Sequence, residues 1–296
     1  MTHQPRIVSL CPSNTEILHA LNLLDHVVAI DNYSDWPASQ LTDKIRLGPD
    51  LHIDVEQLMA LKPDFVLASL SVPGMDKVVE QLEATRIPQL TLSPKTFTDM
   101  QNDIRAVGAY VRENLHLSVD ETAVCESLFQ RIERVRALTA QVTQRPSLYF
   151  EWWPKPVFSP AKDNWLTEMS QLAGGINIFG QHDGSQVKTD DSDVVSKNPD
   201  FYLGVWTGVP QKNVPIQKIR ARFEHEQSDV SFLHKHRFYI LNEGLYCRPS
   251  PRLVDGLEQL VALIHPDIAH RLTLPHPTTY APVRKLDGAW LTLDES

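Results

Sequence analysis

Aromatic and cationic side chains, more than nucleophiles, mark the stretches where this chain could do chemistry. Six loops follow short apolar runs: residues 11–14, 31–37, 69–74, 151–165, 205–210 and 242–250. They hold Tyr33, Trp36, Trp152, Trp153, Trp165, Trp206 and Tyr246, five of the six tryptophans among them. Such rings offer rigid apolar area with a polar handle, which suits a bulky ring-bearing ligand, although a tryptophan at such a place also serves as a core plug. Trp152 and Trp153 are adjacent on an extended segment and point to opposite sides, so one belongs to the core and the other faces the ligand.

Ser13-Asn-Thr-Glu16 has the spacing of a capping box. The free amides of that helix start, with Ser13 and Asn14, suit an anionic or carbonyl group of a ligand. Arg248 stands in Tyr246-Cys-Arg-Pro-Ser-Pro-Arg252, where proline stiffens the loop. It either meets the ligand or pins the loop through a salt bridge. No catalytic residue is assigned. The chain lacks a Gly-x-Ser-x-Gly elbow, a phosphate loop and a Gly-x-Gly-x-x-Gly turn. His225, His234 and His236 fall in one polar stretch without a His-Glu-x-x-His arrangement, and read as a solvated surface rather than a metal site. Cys11 at a helix start is a candidate for a lowered pKa, but no base lies beside it in sequence.

These loops need elements to carry them. Apolar runs predict strands at 6–10, 27–30, 65–68, 89–92, 148–150, 201–203 and 238–241. Amphipathic spacing predicts helices at 14–23, 55–61, 75–84, 98–113, 120–143, 166–173 and 251–263. Strands alternating with helices imply parallel sheets built from βαβ units, whose ligands sit beyond the carboxyl ends of the strands.

The plan occurs twice. The stretch from Ile53 to Leu67 pairs with that from Thr189 to Leu203: each is a short helix, a Pro-Asp break and a buried strand. The helix starting at Thr15 pairs with the one at Thr167, and strand 89–92 pairs with strand 238–241. Between the copies, Val124, Leu128, Ile132, Val135, Leu138 and Val142 recur every three or four residues. The resulting helix of about 24 residues, roughly 36 Å long, would act as a stiff strut that limits closure around a ligand. The expected fold is therefore α/β: two Rossmann-like lobes with parallel sheets joined by one long helix. Its parts are an N-terminal lobe (1–118), a connecting helix (119–144), a C-terminal lobe (145–272) and an extension (273–296). In that extension, Asp287-Gly288 predicts a turn between short apolar runs, and 273–282, with three prolines, is expected to be extended.

Bulk properties narrow the function. The 296 residues carry a formal net charge of -9 and no long basic run, which argues against nucleic acid or an anionic membrane as partner. Three scattered cysteines make no disulfide framework. No stretch is long and apolar enough to insert in a membrane. The start has neither the basic nor the apolar segment of a secretory signal. The chain as written is thus expected in the cytoplasm, or in the periplasm if its start is truncated.

Arg6-Ile-Val-Ser-Leu-Cys-Pro-Ser-Asn-Thr-Glu16, Tyr33-Ser-Asp-Trp-Pro37 and Leu61-Lys-Pro-Asp-Phe-Val66 resemble the start of class III periplasmic binding proteins, the ABC-importer receptors for vitamin B12 and ferric siderophores. The resemblance runs over about residues 5–265. Glu151-Trp152, Pro156, Trp165, Glu168-Met169, Leu172-Ala-Gly-Gly175 and Arg248-Pro-Ser-Pro-Arg252 are similar to a subgroup without signal peptides. The resemblance implies a binding protein, not an enzyme, with no cofactor of its own. Its ligand would be cobalamin-like or an iron chelate, held in the cleft between the lobes, and an ABC permease would be its partner. Tyr33 matches a cobalamin-contacting tyrosine and Arg248 the arginine of the second-lobe loop, while two contacting tryptophans are replaced near Asp50 and Ser69. Permease docking falls on Glu56 in the first lobe and on Asp191 and Asp193, which flank Ser192, in the second. The expected ligand set is Ser13, Asn14, Tyr33, Trp36, Ser69, Trp152, Trp165, Trp206, Tyr246 and Arg248. A cytosolic sensor or a cofactor-handling enzyme reusing the fold is the alternative.

Overall fold

Short apolar runs become strands here because both of their faces are covered. Ile7, Val8, Phe65, Val66, Leu67, Leu148, Tyr149, Phe150, Tyr202 and Leu203 are all fully buried, as parallel strands flanked by helices must be. The computed structural model describes residues 4–225, 230–272 and 282–292. It divides into two compact units. Unit one comprises Met1–Leu128 with Pro249–Pro251, and unit two comprises Phe129–Arg248 with Arg252–Ser296.

Unit one is built on a parallel sheet of β1 (Ile7–Ser9), β2 (Val27–Ile30), β3 (Ile45–Arg46), β4 (Phe65–Ser69) and β5 (Gln89–Leu92), ordered β3-β2-β1-β4-β5. Its helices are α1 (Pro12–Ala20), α2 (Val55–Ala60), α3 (Asp76–Thr85) and α4 (Phe97–Asn114). Helix α5 (Glu121–Thr139) follows, and the boundary between the units falls within it, after Leu128.

Unit two contains β6 (Ser147–Glu151), β7 (Trp153–Pro154), β8 (Val157–Pro160), β9 (Ile176–Asn177), β10 (Gln186–Thr189), β11 (Phe201–Gly204), β12 (Phe238–Ile240), β13 (Val283–Lys285) and β14 (Trp290–Leu291). The main sheet has the order β14-β13-β12-β11-β6-β9, and β10-β8-β7 form a small antiparallel sheet. The helices are α6 (Trp165–Leu172), α7 (Asp191–Lys197), α8 (Ile216–His225), α9 (Ser231–His234), α10 (Glu243–Tyr246), α11 (Leu253–Ile264) and α12 (Pro266–Ala269). The hairpin expected around Asp287-Gly288 forms, and β13 pairs antiparallel with β12. It covers a strand edge that would otherwise present unpaired amides and carbonyls. The expected extended stretch before it lies outside the described residues, apart from Pro282.

The internal repeat is carried down to single hydrogen bonds. The parallel set β2-β1-β4-β5 recurs as β9-β6-β11-β12. Helices α2 and α7 are each capped by an aspartate, Asp54 accepting from the Gln57 amide and Asp190 from the Asp193 amide, both at 2.9 Å. Each helix then unwinds through a left-handed residue, Lys62 at φ 47° and Asn198 at φ 42°, and the next residue is proline, which cannot continue a helix. The aspartate after that proline ties down the first strand of its unit. Asp64 accepts from the Arg6 amide at 2.8 Å, and Asp200 from the Ser147 amide at 3.0 Å.

Two expectations are corrected. Helix α1 starts at Pro12 with Cys11 as its cap and no side-chain capping bond, because proline at the first helical position pre-sets the backbone there. Ser13-Asn-Thr-Glu16 is therefore no capping box. The Ser13 hydroxyl lies 3.3 Å from the Cys11 sulfur, and Glu16 accepts a hydrogen bond from the Ser250 hydroxyl. Helix α5 stops at Thr139, four residues short of the expected end at 143. The Thr139 hydroxyl reaches the Val135 and Leu172 carbonyls at 3.1 and 2.7 Å, and the chain must then unwind to deliver Ser147 into β6.

Candidate functional site

At the carboxyl end of the unit-one sheet, small polar side chains line up because strands β1, β2 and β4 all end there. A chain of hydroxyls runs from Ser9 to Thr15 (2.8 Å) and on to Ser34 (2.7 Å), which donates to Asp31. Asp31 also accepts from the amides of Tyr33 (2.6 Å) and Ser34 (3.1 Å). The Arg46 guanidinium grips the carbonyls of Asp31 and Ser34 at 2.9 and 2.6 Å, so the loop carrying Tyr33 is held at both ends of its turn. A second group joins the Ser69 and Ser71 hydroxyls at 2.8 Å, and Ser71 approaches the Cys11 sulfur at 3.8 Å.

Burial pushes the Asp31 carboxyl up to about 6, against the lowering effect of its hydrogen bonds from Ser34 and Tyr33. Burial, with Asp31 adding to it, pushes the Cys11 thiol up to about 11. The lowered thiol pKa considered for Cys11 is thus reversed: the helix start is too dry to stabilise a thiolate.

Tyr33 is 47% exposed above this polar floor. Trp36, half-buried, meets the His19 ring edge-on at 4.6 Å. Asn14 is fully buried and donates to the Leu67 carbonyl at 3.0 Å, while its own side-chain oxygen has no hydrogen-bond partner. Ser13 and Ser69 are buried within the same floor.

Unit two arranges its carboxyl-end loops differently. The fully buried Glu151 at the end of β6 collects four donors. The Arg222 guanidinium gives two bonds of 2.9 Å, Tyr149 a hydroxyl bond of 2.9 Å and Trp206 an indole bond of 3.1 Å. Arg222 also pairs with Asp191 on α7, with a bond of 2.9 Å from its Nε. Asp191 is therefore committed inside the unit. Asp193 accepts from the Thr189 hydroxyl at 2.9 Å, and Glu56 is exposed in the first turn of α2.

Trp165 and Tyr246 are interior residues. The Trp165 indole donates to the Tyr246 carbonyl at 2.7 Å, and the Tyr246 hydroxyl bonds the Gln259 side chain at 2.9 Å. Trp206 is buried on Glu151. Trp152 packs against Trp165 at 5.8 Å, while Trp153 is 43% exposed, so the adjacent pair splits inward and outward as alternation requires. Arg248 is only 7% exposed and pairs with Glu243, the loop-pinning arrangement of the two considered for it. Sequence reasoning missed Asp31, Ser71 and Arg222. Asp31 had a usable signal, an acid set directly after an apolar strand. Arg222 had none, because α8 was not predicted.

His234 and His236 are exposed, and the His225 side chain lies outside the described residues. Among the described residues, no group of three His, Cys, Asp or Glu side chains is placed to hold a metal ion, and no helix is long and apolar enough to cross a membrane.

Each unit gathers loop residues at the carboxyl ends of its parallel strands, and Asp31 and Glu151 there are held in structural hydrogen bonds. The chain belongs to the periplasmic binding protein family, whose model matches residues 7–244. An uncharacterized ABC transporter substrate-binding lipoprotein of Bacillus subtilis is 28% identical over 265 residues, covering 88% of this chain and 80% of that one. A vitamin B12-binding protein of Vibrio cholerae is 27% identical over 258 residues, covering 86% and 87%. Among solved structures, the periplasmic vitamin B12 binding protein of Vibrio cholerae superimposes with a TM-score of 0.72 at 24% identity, covering 90% of this chain and 98% of that one. The heme complex of IsdE from S. aureus gives a TM-score of 0.74 at 18% identity, covering 89% and 100%.

Proposed function

We propose that this substrate-binding protein serves an ABC permease and takes a bulky cyclic or metal-chelate ligand of the cobalamin or ferric-siderophore kind. Tyr33 carries the reading. It is a large, exposed ring at the carboxyl end of a parallel sheet, on a loop fixed by Asp31 and Arg46, above a floor of hydroxyls. A rigid ring loses little entropy on stacking, and hydroxyl neighbours satisfy polar groups at a ligand's rim. Trp36 adds aromatic surface on the same loop, and the exposed Trp153 adds it on a carboxyl-end loop of unit two. The similarity to vitamin B12-binding proteins along most of both chains supports the same ligand class. Glu56 is the acid best placed for permease docking. Asp191, which already pairs with Arg222, and Asp193, which accepts from Thr189, are the candidates in the second unit.

Native mass spectrometry of freshly purified protein tests the class directly, since a co-purifying cobalamin, heme or ferric chelate identifies itself by mass. Titration with cyanocobalamin, heme and a ferric hydroxamate should quench tryptophan fluorescence for at least one of them. Absence of quenching by all three overturns the ligand class.

A further inference from the structure

The amino ends of the unit-two strands hold a second cavity, of about 790 Å³, that the ligand reading leaves unused. It is walled by the α5–β6 connection, by residues just ahead of β11 and β12, and by the end of α11 with α12. Parallel strands put their amino ends opposite the loops described above, so this cavity lies at the other end of the sheet.

Its charge runs against that of the chain. Four cations, Arg145, Lys235, Arg237 and Arg271, line it against two carboxylates, Asp200 and Asp267, in a protein whose net charge is -9. One of those carboxylates is already neutralised. Asp200 accepts from the Ser147 amide and hydroxyl, both at 3.0 Å, and from Lys235 at 3.2 Å. Burial works to raise its carboxyl, yet these donors hold it below the ordinary range. Arg237 stacks on the Phe201 ring, 4.9 Å from its centre, and its guanidinium also lies 3.9 Å from Asp200. Arg145 and Arg271 are exposed and form no ion pair with any described residue. Two cations held beside Asp200 and two guanidiniums without an ion pair among the described residues surround one cavity, a site for a ligand bearing several negative charges, since guanidinium bonds oxyanions in pairs.

We infer that this cavity binds a compact polyanion, a polyphosphate or polycarboxylate, separately from the aromatic ligand. Calorimetric titration of the full chain with sodium tripolyphosphate at low salt tests it, with citrate as the second arm to tell phosphate from carboxylate preference. Saturable one-to-one binding is expected for at least one of them, weakened roughly tenfold or more in Arg145→Glu/Arg271→Glu. Both positions are exposed, so an unchanged melting curve should accompany the loss. Tyr33→Ala should leave the titration as it was. The inference is overturned if neither anion gives saturable heat, or if the double variant binds as tightly as the parent.

Discussion

Arg222 grips Glu151 through two parallel bonds of 2.9 Å, and the carboxylate it holds has no contact with solvent. A buried ion pair adds little net stability over an apolar substitute, but breaking one side leaves a charge with no water and too few partners. Arg222→Met should therefore destabilise the protein by about 3–5 kcal/mol in urea unfolding. Adding Glu151→Gln to that background should recover part of the loss, because a neutral amide is cheaper to bury than a carboxylate. A single-variant loss below about 1 kcal/mol would mean the pair is dispensable.

Asp31 makes stability depend on pH in the less common direction. Its folded value is about 6 against an ordinary 3.8. The folded state thus binds the proton more tightly than the unfolded one, and stability falls as pH rises from about 4 through 6. Asp200, Glu121 and Asp190 are lowered and push the total the other way. The informative quantity is accordingly the difference between the parent and Asp31→Asn, which should change by on the order of 3 kcal/mol between about pH 4 and pH 7. Asp103 is also raised, to about 7, by burial and by Asp99, so Asp103→Asn serves as the separate control. A pH-independent difference for Asp31→Asn would show that its hydrogen bonds offset its burial, and one of opposite sign that they outweigh it.

The repeat was legible in the sequence because it rests on strong local signals. Apolar runs, the Pro-Asp break and helix spacing all survive in one chain without an alignment. All seven predicted strands lie where sheets β1–β2–β4–β5 and β6–β11–β12 form. The small strands β3, β7, β9 and β10 were not legible. They run two to four residues, and Gln186–Thr189 is polar and half-exposed, so pairing geometry rather than hydrophobic pattern defines them. The site was legible by loop but not by direction. Trp165, Trp206 and Tyr246 fall in the right loops, yet each turns inward to a hydrogen-bond partner supplied by a residue 55 or 81 positions away, or by Gln259. The start of α1 was misread because a Ser-x-x-Glu spacing looks the same whether or not a proline has already started the helix.

Tyr33→Ala separates binding from folding. The ring is half-exposed, and Tyr33 is tied to its loop through its backbone amide, which donates to the Asp31 carboxylate, so melting should shift by less than about 0.5 kcal/mol equivalent. Affinity for the quenching ligand should fall roughly threefold to tenfold, the worth of one aromatic contact. Trp165→Phe should do the reverse. It removes the buried bond to the Tyr246 carbonyl, costing stability with little direct effect on ligand contact. Equal affinity losses for the two variants would contradict the assignment of Tyr33 to the ligand and Trp165 to the core.

Asp64 and Asp200 offer a test of the repeat itself. Each follows a proline that ends a helix, and each carboxylate holds the amide that begins its unit's first central strand, Arg6 in one case and Ser147 in the other. Each of these amides donates to its aspartate, so removing the acceptor takes that hydrogen bond away. Asp64→Ala and Asp200→Ala should each cost about 1–3 kcal/mol. The larger cost is expected at Asp200, which also accepts from the Ser147 hydroxyl and Lys235. The acids lie in different units and share no partner, so the double variant should lose the sum of the two within about 0.5 kcal/mol. If Asp64→Ala unfolds reversibly at the parent's urea midpoint, the Pro-Asp clamp is ornamental in unit one, and the likeness of the two halves extends only to strand order.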